Sequence, residues 1–236
     1  MTVASKIIVA LDFSDLASSL IFVAKLDPLA CRLKVGKELF TACGPEIIHE
    51  LQGRGFEVFL DLKFHDIPST VYKSIRAAAT LGVWMVNVHV SGGREMLQQA
   101  QQAVADSAHQ PWLIGVTLLT SLSAAAVAEI GYTRSLEEQV LHLAQLAYSC
   151  GLGGVVCAAA EANLIKQQTS PQFLTITPGI RLESTKTDDQ TRIMTPTQAV
   201  ASGADYLVIG RPITEAANPA AVIAAINHSV AMFTRH

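Results

Sequence analysis

Residues 57–70 read EVFLDLKFHDIPST, in which a short apolar run ends in charged residues and is followed by a proline suited to the first turn of a helix. Seven further short runs of β-branched and other apolar residues recur along the chain. The eight runs lie at 7–12, 31–36, 57–63, 84–90, 113–119, 153–158, 173–179 and 206–211. Because they are continuous rather than alternating, they indicate strands of a parallel sheet that is covered on both faces.

Stretches typical of helices separate these runs. They lie at 15–26, 44–54, 69–81, 93–107, 136–150, 160–168, 197–202 and 219–232. Eight strand–helix units of this length predict an α/β protein with the TIM (β/α)8 barrel architecture. A doubly wound open sheet usually has a glycine-rich first turn, whereas the first turn here reads LDFSDL. No linker-like segment divides the chain, so residues 1–236 are predicted to form one TIM-barrel domain.

The composition excludes several classes of protein. Half of the residues are hydrophobic and 16% are charged, which is too apolar for a disordered chain. The formal net charge of −3 argues against a partner nucleic acid, since proteins that bind nucleic acid usually carry a basic surface. The longest apolar-rich stretch without charge, 77–88, is too short for a membrane span, and the run after Lys6 is too short for a signal peptide.

The four cysteines, at positions 31, 43, 150 and 157, show no CxxC spacing. This pattern favours reduced, structural thiols over a disulfide framework or a cysteine-bound metal. We therefore expect a soluble, cytoplasmic protein that neither enters a membrane nor binds nucleic acid.

Charged and polar residues collect at the carboxyl ends of the predicted strands. In a TIM barrel these ends meet on one face, where the active site lies. Unpaired buried charges are costly, so several of them on one rim indicate a functional site rather than packing alone. His89 fits a hydrogen-bonded core residue better than an acid or base. The residues at these strand ends are Asp12, Lys34, Asp61, Lys63, His89, Thr117, Thr120, Arg181 and Arg211.

The densest cluster is DLKFHDIPST at 61–70. Asp61 and Lys63 are two residues apart on a strand, so both are expected to point into the barrel. With Asp12 and Lys34 from neighbouring strands, two carboxylates and two ammonium groups would alternate around one pocket. Such an array can keep a lysine charged as an acid and place a carboxylate beside a substrate anion. For Asp61 and Lys63 taken alone, an ordinary ion pair is the alternative.

The seventh predicted strand ends in TPGIR and the eighth in IGRPIT. The loops after these two strands often bind phosphate in TIM barrels, and Gly210 with Arg211 suits a phosphate monoester. The polar stretch 183–192 is long enough for a mobile lid, from which Gln190 could reach the same phosphate. A turn glycine beside a surface arginine, and a solvated loop, are the simpler alternatives.

Taken together, these motifs resemble the orotidine 5′-phosphate decarboxylase family nearly from end to end. The matching segments are IVALD, LKVG, DLKFHDIP, VNVHVSGG, VTLLTS, TPGIR, DDQTR and GADYLVIGRPIT. The resemblance implies a TIM barrel, a homodimer with active sites at the interface, and conversion of orotidine 5′-monophosphate to UMP and CO2. That reaction is the last step of de novo pyrimidine (UMP) biosynthesis. The resemblance also implies that no cofactor and no metal is used.

The resemblance assigns roles to the charged residues that match the family's motifs. Lys63 resembles the proton donor to the ring carbon that loses CO2, and Asp61 resembles the carboxylate beside the departing group. Lys34 and Asp66 would complete the charged network. Asp66 and Thr70 would come from the partner subunit.

Substrate-binding residues are implied in the same way. Asp12 and Lys34 would bind the ribose hydroxyls, with Thr70 near the ribose, and Thr120 would bind the pyrimidine. The residues implied around the phosphate are Arg181, Gln190, Gly210 and Arg211.

Two alternatives to this function remain open from the sequence. A magnesium-dependent sugar-phosphate decarboxylase or aldolase of the same superfamily, such as 3-keto-gulonate 6-phosphate decarboxylase, shares the D-x-K-x-x-D pattern. The DIPST segment and the long DDQ loop favour the nucleotide enzyme over it. The second alternative is a non-catalytic sensor of phosphoribosyl ligands, which would bind UMP tightly without releasing CO2.

Overall fold

The computed structural model describes residues 5–182 and 194–233 of the chain. Eight parallel strands pair in the order in which they occur in the sequence, and the eighth pairs with the first to close a barrel. The strands are β1 (Ile7–Leu11), β2 (Arg32–Gly36), β3 (Val58–Phe64), β4 (Met85–His89), β5 (Trp112–Val116), β6 (Gly154–Val156), β7 (Leu174–Thr177) and β8 (Tyr206–Ile209). The predicted TIM barrel is confirmed.

Helices connect the successive strands. They are α1 (Leu16–Val23), α2 (Lys37–Cys43), α3 (Glu46–Gly53), α4 (Pro68–Thr80), α5 (Gly93–Ala105), α6 (Ala124–Glu129), α7 (Leu136–Ser149), α8 (Ala162–Gln168), α9 (Pro196–Ala201), α10 (Arg211–Thr214) and α11 (Pro219–Phe233). The sequence patterns did not predict α2, α6 and α10, which have seven, six and four residues. Helices of this length make at most about two turns, so their helical repeat is easily missed, although α8 and α9, of seven and six residues, were predicted. In the described part of the chain, no helix is both long and apolar enough to cross a membrane.

Both faces of the barrel wall are buried, which explains why the strands are continuously apolar. Alternate residues of a strand face opposite sides. In β1, Ile7, Val9 and Leu11 belong to the large cluster that includes buried helix residues, whereas Ile8 and Ala10 belong to a second cluster. The second cluster fills the barrel interior and consists of Ile8, Ala10, Phe59, Met85, Ile114, Ile176 and Val208.

A buried arginine occupies the amino-terminal end of the barrel. Arg32, the first residue of β2, is 2% exposed and forms an ion pair with Glu57 at 2.7 Å. Its guanidinium lies 4.3 Å from the ring centre of Trp84 and 5.1 Å from that of Tyr206. Because Arg32 begins β2, this cluster of a cation and two aromatic rings lies at the end of the barrel opposite to the carboxyl ends of the strands.

The start of α4 determines where the chain leads after β3. Pro68 is the first residue of the helix, as the sequence predicted, but the residue before it, Ile67, provides no side-chain cap. Ile67 is 64% exposed. By contrast, α9 begins at Pro196 and is capped by Thr195, whose side chain accepts a hydrogen bond from the backbone N–H of Gln198.

Candidate active site

Four charged side chains form one connected array at the carboxyl ends of the first three strands. Lys63 Nζ lies 2.7 Å from Asp61 Oδ1, and Lys34 Nζ lies 3.2 Å from Asp61 Oδ2. Lys34 Nζ also lies 3.7 Å from Asp12 Oδ1. The structure therefore brings together the four residues that the sequence placed on one rim.

Asp61 is the buried centre of this array. Burial works to raise the pKa of its carboxyl group, but Lys34 and Lys63, together with hydrogen bonds from Lys63 and Asn87, outweigh burial and hold that pKa below its ordinary value. The carboxylate is therefore ionised at neutral pH although its side chain is only 10% exposed. The two lysines and Asn87 hold this buried carboxylate in place, so it would stay where it is if a negatively charged ligand bound beside it.

Lys63 has an unusual backbone conformation. Its φ of +51° makes it the one non-glycine residue with a positive φ in the described part of the chain. Such a conformation costs roughly 1–3 kcal/mol and persists where the surroundings fix it. The pairing register between β3 and β4 shifts between Leu60 and Phe64, so β3 is irregular at this point. Asp61 and Lys63 do meet, but the simple strand alternation from which we expected this is wrong.

The sequence interpretation missed Asn87, which contacts both members of this pair. Its Nδ2 donates a hydrogen bond to Asp61 Oδ1 at 2.7 Å, and its Oδ1 accepts one from the backbone N–H of Lys63 at 2.8 Å. Asn87 is fully buried in the middle of β4. The signal that could have found it is a polar residue in the centre of the apolar run WMVNVHV.

Two glycines make room for the charged array. A Cβ on Gly36 would lie 3.3 Å from Lys34 Nζ, and a Cβ on Gly210 would lie 3.3 Å from Asp12 Oδ2. Gly210, which follows β8, therefore lies directly beside the carboxylate that follows β1. The next residue, Arg211, begins α10 and is exposed. The structure thus places the candidate phosphate-binding pair on the same rim as Asp12.

The other residues expected to bind the substrate are less closely connected in the structure. Arg181 follows β7 and is half-buried, and its backbone N–H donates to the carbonyl of Met194 at 3.1 Å. Thr120 is half-buried in a turn after β5. Gln190 and the whole stretch 183–192 in which it lies are outside the described residues.

Asp66 and Thr70 lie on the surface, beyond the end of β3 and in the first turn of α4. Both are exposed, and Asp66 Oδ1 accepts a hydrogen bond from the backbone N–H of Ile67 at 2.7 Å. Among the described residues, the ion pairs of Lys34 and Lys63 are formed with Asp12 and Asp61 and none includes Asp66. Asp66 therefore does not complete the charged network within one chain.

His89, at the end of β4, packs against another histidine. The ring centres of His89 and His65 are 5.4 Å apart, and His89 is half-buried. Burial, followed by the charges of His65, Lys37 and Lys63, lowers the pKa of His89 to about 4, so its imidazole is neutral at pH 7. Among the described residues His89 makes this ring contact and no side-chain hydrogen bond, whereas we expected a hydrogen-bonded core histidine.

Across the described residues, no three His, Cys, Asp or Glu side chains are grouped so that they could hold a metal ion. All four cysteines are free thiols, and those at 31, 150 and 157 are buried. Burial raises the pKa of the Cys31 thiol to about 12, so it stays protonated at neutral pH.

Sequence comparison relates the chain to proteins of known name. The profile of the orotidine 5′-phosphate decarboxylase / HUMPS family matches residues 5–226. An orotidine 5′-phosphate decarboxylase of Chromobacterium violaceum is 54% identical, over 97% of this chain and 93% of its own length. The enzymes of that name from Hahella chejuensis and Vibrio cholerae are 57% and 55% identical; the matches cover 91% and 95% of this chain, and 92% and 98% of those proteins.

Structural comparison gives the same relationship. The crystal structure of orotidine 5′-phosphate decarboxylase from Lactobacillus acidophilus superimposes with a TM-score of 0.85 at 36% sequence identity. The match covers 95% of this chain and 98% of that one. An uncharacterized conserved protein from Geobacillus kaustophilus superimposes with a TM-score of 0.83 at 38% identity, over 95% of this chain and 99% of the other.

Proposed function

Because the chain belongs to the orotidine 5′-phosphate decarboxylase / HUMPS family, we propose that it is a carboxy-lyase that converts orotidine 5′-monophosphate to UMP and CO2. The observation that carries this proposal is the array of alternating charges formed by Asp12, Lys34, Asp61 and Lys63 at the carboxyl ends of the barrel strands. The reaction is the last step of de novo pyrimidine biosynthesis, and the close relatives carry the name of that enzyme over nearly their whole length.

Lys63 is the acid in this proposal. The bond between the pyrimidine ring and its carboxylate breaks, the electron pair stays on the ring carbon, and CO2 leaves. Lys63 Nζ then gives a proton to that carbon, which yields UMP, and the resulting amine recovers a proton from solvent. Its contact with Asp61 at 2.7 Å supports this role, because the ion pair holds the ammonium group beside the carboxylate that lies next to the departing group.

Asp61 lies beside the substrate carboxylate in this proposal. Two like charges at 4 Å repel by about 4 kcal/mol at an effective dielectric constant near 20. This repulsion is lost when the carboxylate departs as neutral CO2, so it lowers the barrier rather than merely weakening binding. The lowered pKa of Asp61 supports the role, since the group stays ionised at the pH of the reaction. Lys34 holds the second oxygen of Asp61 in place.

The remaining contacts orient the nucleotide. Asp12 and Lys34 bind the ribose hydroxyls, and Thr120 binds the pyrimidine. The phosphate lies against Gly210, where the absence of a side chain permits close approach, and against the guanidinium of Arg211. The other two phosphate residues are Arg181 and Gln190.

We also propose a homodimer in which each active site is completed by the partner subunit. Asp66 and Thr70 of one subunit extend across the interface into the active site of the other, where Thr70 lies near the ribose. The exposure of Asp66, Ile67 and Thr70, and the absence of an ion pair between Asp66 and the array of its own chain in the described residues, support this arrangement.

Two broader properties belong to the same proposal. Residues 1–236 form one domain, because the barrel is closed by strands that span the chain from Ile7 to Ile209. The protein works in the cytoplasm, where a reducing environment keeps thiols unpaired, and its four cysteines are free.

The test is an absorbance assay with orotidine 5′-monophosphate. We expect the ultraviolet absorbance of the substrate to fall when the purified protein is added, and an equimolar amount of CO2 and UMP to form. The rate should be the same with a chelator present, whereas the magnesium-dependent sugar-phosphate enzyme would lose activity. A protein that binds UMP but releases no CO2 would contradict the proposal and leave the ligand sensor as the explanation.

A further inference from the structure

Asn87 connects the side chain of Asp61 to the backbone of Lys63. The amide nitrogen donates to Asp61 Oδ1, and the amide oxygen accepts from the Lys63 N–H. The same Asp61 oxygen also accepts from Lys63 Nζ at 2.7 Å. Asn87, Asp61 and Lys63 therefore form a closed ring of hydrogen bonds in which each residue touches the other two.

The position of Asn87 in β4 explains why its side chain is needed there. Ladder pairing between β3 and β4 joins Leu60 to Val86, and resumes only where Phe64 pairs with Val88. Between these points β3 has more residues than β4, and the Lys63 N–H bonds to the Asn87 side chain. A buried N–H without a partner would be costly, so this bond stabilises the irregular stretch of β3.

The irregular stretch of β3 also determines the direction in which the Lys63 side chain points. Its left-handed φ of +51° is unfavourable for a residue with a Cβ, and it occurs in β3 just before the strand ends. Asp61, two residues earlier, is held by the other end of the same amide. One fully buried side chain thus fixes both the backbone that carries the ammonium group and the carboxylate that it contacts.

We propose that Asn87 is a positioning residue for the decarboxylation: it sets the geometry of Lys63 relative to Asp61 and makes no contact with the substrate. This inference rests on the proposed function, since it concerns the acid and the carboxylate of that reaction. It predicts that losing the amide lowers kcat, because misplacing reacting groups by about 1 Å can cost on the order of 10²-fold. Binding of UMP, which lacks the carboxylate, depends on the ribose and phosphate contacts and is expected to persist.

The experiment compares Asn87→Leu and Asn87→Asp with the wild-type dimer. Asn87→Leu keeps the volume and removes both hydrogen bonds, whereas Asn87→Asp keeps the oxygen that accepts from Lys63 and removes the donor to Asp61. Titration with UMP gives the number of folded sites and the Kd, so kcat is expressed per folded site. The matched control is Thr175→Val, which also removes a fully buried hydrogen-bonding side chain, but at the amino-terminal end of β7.

We expect kcat per folded site to fall by on the order of 10²-fold in both Asn87 variants, because the reacting groups are misplaced, while the Kd for UMP stays close to that of wild type. In crystals of Asn87→Leu, the Lys63 φ should leave the left-handed region, whereas Thr175→Val should keep both kcat and that φ. Values of kcat close to that of wild type in both variants, or a loss of UMP affinity as large as the loss of kcat, would overturn the inference. A wild-type protein without decarboxylase activity would instead contradict the proposed function, and the Lys63 φ in the variant crystal would still decide whether Asn87 positions it.

Discussion

Lys34 Nζ lies 3.2 Å from the Asp61 oxygen that faces away from Lys63, so each oxygen of this buried carboxylate meets its own ammonium group. The two lysines come from adjacent strands, β2 and β3, whose pairing puts Gly36 opposite Asp61. Charges held by a rigid barrel wall need little rearrangement during a reaction, and such preorganisation is a major source of catalytic power.

The first prediction concerns Lys63. Replacing it with alanine removes the acid that delivers a proton to the ring carbon, so turnover should fall by on the order of 10⁴-fold. The far-ultraviolet circular dichroism and thermal transition should persist. Lys25→Ala, which removes an exposed ammonium group after α1, is the control and should keep full activity. Substantial turnover by purified Lys63→Ala would exclude this residue as the proton donor.

The second prediction concerns the phosphate. A hydrogen bond to a charged group contributes about 1.5–3 kcal/mol, so Arg211→Ala should lower kcat/KM by roughly 10- to 10²-fold. Orotidine without its phosphate should be a very poor substrate for the wild-type protein, because remote binding energy is used to stabilise the transition state. The control is Arg54→Ala, which removes a surface arginine paired with Glu50. Similar kcat/KM values for orotidine and its phosphate would contradict this use of the phosphate.

The third prediction concerns stability against acid. Burial lowers the folded-state pKa of His89 from 6.5 to about 4, so between these pH values the unfolded chain binds a proton that the folded chain does not. Stability should therefore decrease as the pH falls from about 6.5 to about 4. His89→Asn should weaken this dependence, measured as the urea midpoint at a series of pH values. His49→Asn, at an exposed histidine, should leave the slope unchanged, and an unchanged slope in His89→Asn would refute the assignment.

The fourth prediction separates stability from activity. Arg32 is buried among Glu57, Trp84 and Tyr206 at the amino-terminal end of the barrel. Arg32→Met should destabilise the protein by about 2 kcal/mol or more, since it removes a charged hydrogen bond and cation–π contacts. The kcat per folded site should stay unchanged because the active site lies at the opposite end. A loss of kcat without loss of stability would show that the two ends are coupled.

The sequence predicted the architecture because burial on both faces leaves a direct mark on composition. The runs IIVALD and YLVIGR contain β1 and β8 with their ends within two residues, and the charged residues after them were placed on the correct rim. The pairing of Asp61 with Lys34 followed from the same reasoning, since adjacent parallel strands end side by side.

The sequence could not predict the features that depend on tertiary contacts. A left-handed lysine has no sequence signature, because the conformation of Lys63 is imposed by the shifted register of β3 and by Asn87 from the next strand. Asn87 itself resembled an ordinary interruption of an apolar run. Whether Asp66 acts in its own chain or in a partner is likewise not encoded by spacing.

The last prediction concerns the sharing of residues between subunits. In the proposed dimer, each site combines Lys63 of one chain with Asp66 of the other, so Lys63→Ala and Asp66→Ala are each inactive in every site. When equal amounts of the two variants are unfolded together and refolded, half of the dimers should be mixed. In a mixed dimer one site has both residues and the other has neither.

Activity in this mixture should therefore recover to about one quarter of wild type, because half of the dimers are mixed and half of their sites are intact. The control is the same procedure with each variant alone, which should give no recovery, and mass spectrometry should verify that mixed dimers have formed. If Asp66 acted in the site of its own chain, every site in every dimer would lack one of the two residues. Mixed dimers without activity would therefore show that Asp66 serves its own chain, and its exposure beside Ile67 would then need another explanation.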